Sequence, residues 1–413
     1  MSTNNHIPIN RPPRPPKPPR PHPSIAALST FISNLPQNAG AQPPPLPSKL
    51  RYDVYGPLLL LPPTSPLASP PWSTYISSLP LQYQLDLYKA LAESLNVTHI
   101  AINSPIPSKS VDNQNQIRAP QITPIYGSFG PLDSVEFEKV FWTSTVQHGV
   151  FQTWCPLHTM FSRGNITEKA RVHDLVDRQL GMLRKRDKGG MRVGAVDLFV
   201  GIGYFAFSYL KAGVDVVYGW DINPWSIEGC RRGALGNKWR VRVGSSTTDS
   251  GDRDGVGVER SEEEERLVIF AESNEYAPTR LRRIKEDAEQ RGKKWVHIMH
   301  VNLGLLPTSA GAYETALEVL GLNDGDGEAW VHVHENVAKE DADGMKSDIE
   351  KRFGELAGKV WDPEGFEVGV EVEHVEFVKS WAPGVWHCVF DVKVSWRRII
   401  ISSTGSLSGE GEG

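Results

Sequence analysis

The residues with most chemistry in this chain are two glycines and two acids. In 196-VDLFVGIGYFAFSYLKAG-213 a run of strand-forming residues meets Gly201 and Gly203 and then turns helix-like. Such a turn has no Cβ to hold a ligand away, and the helix behind it aims backbone N–H groups at a phosphate or nucleoside. Gly201, Gly203 and Ala206 match the dinucleotide spacing G-x-G-x-x-G/A. Asp221 ends the next strand candidate, 18 residues after Gly203, where an acid can accept from ribose hydroxyls. NAD and S-adenosylmethionine both carry adenosine, so the glycines and Asp221 admit either.

Three features favour S-adenosylmethionine. Asp197 lies inside the first strand, four residues before Gly201, where a dinucleotide strand is usually apolar. The chain ends in two consecutive strand candidates, 367–384 and 385–396, joined near Pro383-Gly384. That predicts an antiparallel hairpin closing a parallel sheet. Finally, 271-AESNEYA-277 follows the third strand, where such a fold places polar groups on the adenine.

Other constellations are weaker. In 162-SRGNITEKAR-171, Asn165 and Glu168 have the spacing of a capping box, and Lys169 and Arg171 could meet a carboxylate. His332 and His334 share a strand face, and His297 and His300 are close in sequence. They read as buried or site-lining imidazoles rather than a zinc set, which needs more ligands. The run 184-RKRDKGGMR-192 is a solvated turn or a phosphate contact. No residue presents itself as a general base.

The elements that must position these residues alternate. Strand candidates at 194–200, 215–222, 267–273, 295–301 and 328–337 are separated by helical stretches such as 224–235 and 278–290. This rhythm means βαβ units and a parallel sheet. Upstream, 49–150 reads as a smaller α/β domain with a helix at 82–95, and 151–401 as the cofactor-binding domain. Residues 1–48 are proline-rich and read as a disordered tail, 243–266 as a low-complexity surface insertion, and 402–413 as a flexible tail.

Bulk properties set limits. The chain has 413 residues, 39% of them hydrophobic, enough for two or three domains. No apolar run approaches the roughly 20 residues of a membrane span. Three scattered cysteines without C-x-x-C point to a reduced, cytoplasmic protein. The net charge of −5 hides local asymmetry. Residues 163–192 carry nine basic and four acidic side chains, and residues 245–266 carry eight acidic and three basic.

Several spaced motifs resemble one family in order: 158-HTMFSRGNITEKAR-171, 197-DLFVGIGYF-205, 221-DINPWS-226, 274-NEYA-277, 302-NLGLLPTSAGAY-313 and 332-HVHENV-337. They look like the eukaryotic wybutosine-synthesis aminocarboxypropyltransferases, relatives of the tRNA guanosine N1-methyltransferases. The resemblance spans about residues 50–398. It implies a class I methyltransferase-like (Rossmann-like) α/β fold, with S-adenosylmethionine as co-substrate and no metal. It also implies transfer of the 3-amino-3-carboxypropyl group to a carbon of the tricyclic 4-demethylwyosine base of phenylalanine tRNA. By motif, Ser162 and Lys169 would hold the donor, Asp221 the ribose, Ser273 and Asn274 the adenine, and Gly201 and Gly203 the cofactor loop. Two positions depart from the family: Asp221 where Glu is frequent, and Glu272-Ser273-Asn274 where Gly-Asp-Asn is usual. Asn302 is followed by Leu303-Gly304-Leu305-Leu306-Pro307, not by the Pro-Pro-aromatic of amino-methyltransferases. Competing readings are a tRNA guanosine N1-methyltransferase, a non-catalytic tRNA-binding scaffold and, third, a dehydrogenase.

Overall fold

Five buried runs rich in Val, Ile and Ala set the frame of the chain, because parallel strands covered on both faces have no polar side to show. The computed structural model describes residues 22–36, 41–104, 121–186, 190–244, 265–361 and 365–399. The chain divides into two compact units, one of Met1–Pro105 with Ile122–Ser128, the other of Ile106–Gln121 with Phe129–Gly413.

The first unit contains α1 (Pro23–Asn34), β1 (Asp53–Tyr55), β2 (Leu58–Leu61), α2 (Trp72–Ser78), α3 (Leu81–Leu95), β3 (His99–Ser104) and β4 (Gln121–Tyr126). Its sheet runs β1-β2-β3-β4. The expectation of a disordered 1–48 does not hold for its described residues, 22–36 and 41–48. Between the proline clusters, Ile25, Leu28, Phe31 and Ile32 fall on one helical stripe, and Leu28 is fully buried. The Trp72 indole also donates to the carbonyl of Pro45 at 3.2 Å. Residues 1–21 and 37–40 lie outside the described residues.

The second unit contains β5 (Thr143–Gln147), β6 (Val150–Trp154), α4 (Ile166–Arg186), β7 (Val193–Asp197), α5 (Ala206–Ala212), β8 (Val216–Trp220), α6 (Pro224–Gly236), β9 (Val241–Gly244), β10 (Leu267–Phe270), α7 (Ala277–Gln290), β11 (His297–Leu303), α8 (Tyr313–Leu320), β12 (Gly327–Ala338), α9 (Ala342–Trp361), β13 (Phe366–Ala382) and β14 (Val385–Arg398). The expected boundary at residue 150 cuts the β5–β6 hairpin, which pairs from Thr143↔Trp154 to Gln147↔Val150. Asn237, just beyond α6, holds that hairpin through both the N–H and the C=O of Phe151.

The large sheet has the order β13-β14-β12-β11-β7-β8-β10-β9. All neighbours are parallel except β14 with β12 and β13 with β14. The closing hairpin therefore stands as expected, and β9 is an added edge strand. Side chains alternate between faces. Val196 and Leu198 join the core under α7, α8 and α9, while Val193 and Ala195 join the core under α4, α5 and α6. From β7 the chain proceeds to β8 on one side and later to β11 on the other. That is the switch point where an open α/β sheet binds ligands at its carboxyl edge. The expected insertion at 243–266 falls largely at 245–264, outside the described residues, as does the tail at 402–413.

Candidate active site

Asp197 is the last residue of β7 and is fully buried. Its Oδ1 accepts from the Phe199 N–H (3.2 Å) and from the Asn302 amide (3.0 Å), so it ties β7 and its loop to the end of β11. Burial pushes its carboxyl up to about 7, against the lowering effect of those bonds. Asp197 is a strut under the loop, and the Asn302 amide nitrogen faces it.

The loop above needs both glycines. Gly201 has φ +53° and Gly203 φ +90°, and a Cβ on Gly203 would stand 2.4 Å from the Phe207 ring in the first turn of α5. Asp221 follows β8 and closes the loop from the side. Its Oδ2 accepts from the Gly201 N–H (3.0 Å) and its Oδ1 from the Asn223 N–H (2.7 Å). Burial pushes the Asp221 carboxyl up to about 6, and the backbone bonds oppose that rise. Asn274, after β10, donates to the Leu198 carbonyl at 3.0 Å. Ser273 accepts from the Glu275 N–H at 3.4 Å, and Glu272 is taken by Arg280 at 2.9 Å. Gly201, Gly203, Asp221 and Asn274 thus share one cradle, with Ser273 at its margin.

Segment 158–165 is tied to the same cradle. The Asn223 amide donates to the His158 carbonyl (3.1 Å), and the His158 ring stacks on Trp225 (4.1 Å between centroids). Tyr204, in the glycine loop, donates to the Met160 carbonyl (2.7 Å) and accepts from the Ser162 N–H (3.0 Å). Ser162 is therefore held beside the loop. Its hydroxyl and the Asn165 amide oxygen receive the Lys379 ammonium of β13 at 2.7 and 3.0 Å.

Lys169, in the first turn of α4, reaches the β5–β6 hairpin. Its ammonium points to Gln152 (2.7 Å) and Gln147 (2.5 Å) and lies over the Phe161 and Tyr204 rings. Burial lowers its pKa to about 8. It lines a pocket of about 270 Å³ with Gln147, His148, Tyr204, Ser208 and Lys211, which Gly201, Asp221 and Asn274 do not line. Tyr204 thus stands between Lys169 and Ser162.

The capping box does not form. Glu168 is buried in a two-point ion pair with Arg171 (2.7 and 2.8 Å). Arg171 is also bound by Asp391 of β14 (2.5 and 3.1 Å), so it has no free face for a ligand carboxylate. Asp391 accepts from His332 Nδ1 (2.7 Å), and His332 Nε2 meets His300 Nδ1 (3.1 Å). Burial would raise the Asp391 carboxyl, but His332 and Arg171 outweigh it and hold the group well below the carboxylate range. This chain of buried groups bolts α4 to the sheet. His334 Nδ1 meets His387 Nε2 at 2.9 Å. In the basic run, Arg184 donates to the Gly213 carbonyl at the end of α5, and residues 187–189 lie outside the described residues.

Lys379, Asp391 and His387 were not anticipated. Lys379 and His387 face each other in the β13–β14 register, and polar residues set among the apolar ones of the two terminal strands were their signal.

The sheet order, the glycine cradle and the acid after its second strand define a class I methyltransferase-like protein. No family model matches the chain. A Schizosaccharomyces pombe protein named tRNA wybutosine-synthesizing protein 2 is 37% identical over 356 residues, covering 84% of this chain and 73% of that one. The Saccharomyces cerevisiae protein of the same name is 31% identical over 324 residues, covering 72% of this chain and 60% of that one. The chain belongs to the tRNA wybutosine-synthesizing protein 2 family. In fold it also resembles P. horikoshii TYW2, solved in complex with MeSAdo, at 18% identity and a TM-score of 0.50, with 90% and 99% of the two chains covered.

Proposed function

We propose that the protein transfers the 3-amino-3-carboxypropyl group of S-adenosylmethionine to a carbon of the 4-demethylwyosine base of phenylalanine tRNA, releasing methylthioadenosine. The 37% identity to the fission-yeast family member over most of the chain carries this reading. Cys155, Cys230 and Cys388 are buried and free, without a disulfide among them, and we place the action in the cytoplasm on that reading.

The cradle would hold the donor's nucleoside. At Gly203 the Phe207 ring takes the space a Cβ would need, which lets the loop keep its left-handed turn, and the backbone of that loop would lie against the ligand. Asp221 would accept from the ribose hydroxyls with the lone pairs its two backbone donors leave free, and Asn274 with Ser273 would border the adenine. Ser162, held beside the loop by Tyr204, would reach the donor's far end. Lys169 would take part only by leaving Gln147 and Gln152.

A sulfonium already carries electrophilic carbons, so the protein's task is orientation, which alone supplies much of a rate enhancement. A carbon–carbon bond forms at the base, the sulfur–carbon bond to the carboxypropyl chain breaks with its electron pair going to sulfur, and the acceptor carbon loses a proton. The Asn302 amide nitrogen donates to Asp197, its Oδ1 has no partner among the described residues, and Leu303-Gly304-Leu305 follows it in place of the Pro-Pro-aromatic of an amino-methyltransferase.

The released nucleoside tests the reading. Turnover on phenylalanine tRNA carrying the tricyclic base should yield methylthioadenosine by liquid chromatography. S-adenosylhomocysteine instead would favour the guanosine N1-methyltransferase reading.

A further inference from the structure

Lys379 is half-buried, and among the described residues its ammonium meets no carboxylate. An ammonium has three donors. Two go to Ser162 and Asn165, which leaves one. A cation removed from water without a counter-charge is costly. Burial accordingly lowers the Lys379 pKa.

The neighbours of Lys379 are also incomplete. Lys379 lies opposite His387, and His387 lies opposite Asn336. Directly opposed residues share a sheet face, so the three form a row across β13, β14 and β12. His387 is fully buried, and among the described residues its Nδ1 has no hydrogen-bond partner; neither side-chain amide atom of Asn336 has one there, nor does His334 Nε2. Buried polar atoms are paired in roughly nine cases of ten, so such a group beside an unmatched cation calls for a ligand. Burial, then the nearby Lys379 charge, lowers His387 to about 4, so it is neutral near pH 7. In the tautomer where His387 donates through Nε2 to His334, its Nδ1 lone pair is free.

The row connects to the cradle at two points. His334 meets the Phe205 ring edge-on at 5.0 Å, and Phe205 directly follows the glycine loop. Ser162 is bonded to Tyr204 of that loop. The Ser162 hydroxyl donates to Asn165 at 3.3 Å and would turn that long bond to a ligand; a ligand that combines a carboxylate, for Lys379 and Ser162, with an ammonium, for Asn336 Oδ1 and His387 Nδ1, is an α-amino acid.

We propose that Lys379, with Ser162, binds the α-carboxylate of the donor's aminocarboxypropyl end, and that Asn336 and His387 receive its ammonium. This rests on the transfer reading above and deepens it. The group that moves is gripped by the terminal hairpin, while the nucleoside that stays is gripped by Gly201, Gly203 and Asp221. Lys379 is then a substrate-binding residue that sets which carbon of the sulfonium faces the acceptor.

The test compares three ligands by calorimetry on the full-length protein and on Lys379→Met and Lys379→Arg. The ligands are S-adenosylmethionine, its decarboxylated analogue and methylthioadenosine. Lys379→Met should weaken S-adenosylmethionine about 10- to 100-fold, the range of one charged hydrogen bond. It should leave methylthioadenosine within about twofold and abolish the preference for S-adenosylmethionine over the decarboxylated analogue, with Lys379→Arg restoring part of it. Retained S-adenosylmethionine affinity would overturn the proposal. So would parallel loss of S-adenosylmethionine and methylthioadenosine, which would make Lys379 a prop for segment 162–165. If the wild-type protein moves carboxypropyl label while Lys379→Met binds normally, only this inference falls. If the wild-type protein moves methyl label, the transfer reading falls, whatever Lys379 does.

Discussion

Replacing Asp221 with Ala tests the cradle where its geometry is most explicit. The carboxylate accepts from Gly201 N–H and Asn223 N–H at 3.0 and 2.7 Å, so it orders the loop and has lone pairs left for two ribose hydroxyls. The loop contribution is shared by free and bound protein. The ribose contribution appears in affinity, and one charged hydrogen bond of about 1.5–3 kcal/mol corresponds to roughly 10- to 100-fold in Kd. Calorimetry should show S-adenosylmethionine and methylthioadenosine weakened by the same factor, because both carry the ribose. The pH dependence has a definite sign. Burial raises the folded carboxyl to about 6, so protonated Asp221 accumulates as pH falls through that value and affinity drops toward acid. With a pKa of about 6, roughly nine-tenths is ionised at pH 7 and one-tenth at pH 5, an approximately tenfold loss. In Asp221→Ala that component of the acid limb should vanish. An unchanged Kd, or a loss confined to S-adenosylmethionine with methylthioadenosine intact, would refute the ribose assignment.

Two further substitutions probe the framework. Asp391→Ala leaves Arg171 with Glu168 alone and His332 Nδ1 without its acceptor, which should lower the stability of the second unit by about 3–5 kcal/mol in urea unfolding; a change of under about 1 kcal/mol would show that the buried chain of ion pairs is dispensable. Leu28→Ala should cost the first unit roughly 2–5 kcal/mol, read from its unfolding transition, because Leu28 is fully enclosed by that unit's core. An unaffected transition would return α1 to the status of a loose tail.

The parts that were legible in the sequence were local or doubly covered. The strands β7, β8, β10, β11 and β12 could be read within a few residues because both of their faces are buried, which leaves nearly uninterrupted apolar runs. That the Gly201–Gly203 loop and Asp221 would meet was legible because a loop and the end of the next strand lie at a characteristic separation. β9 was missed because it is an edge strand, half-buried at most, with Arg242 facing out. α1 was missed because composition averages over the prolines on both sides of a short amphipathic stripe. The partners of segment 162–171 were out of reach for a different reason. Lys379, His387 and Asp391 come from a hairpin some two hundred residues later, whose own β13–β14 register carries three shifts. Lys169 turned to Gln147 and Gln152 because the β5–β6 hairpin stands beside α4, which no local spacing announces.

The central claim is that the cleft holds the nucleoside and presents the carboxypropyl carbon, not the methyl, to a tRNA base. The most direct measurement supplies S-adenosylmethionine labelled separately in the methyl and carboxypropyl carbons, together with phenylalanine tRNA carrying the tricyclic intermediate. Carboxypropyl label entering the tRNA while methyl label leaves with the nucleoside is the predicted result. Methyl label in the tRNA, or no transfer of either label by protein that binds the donor, would contradict it.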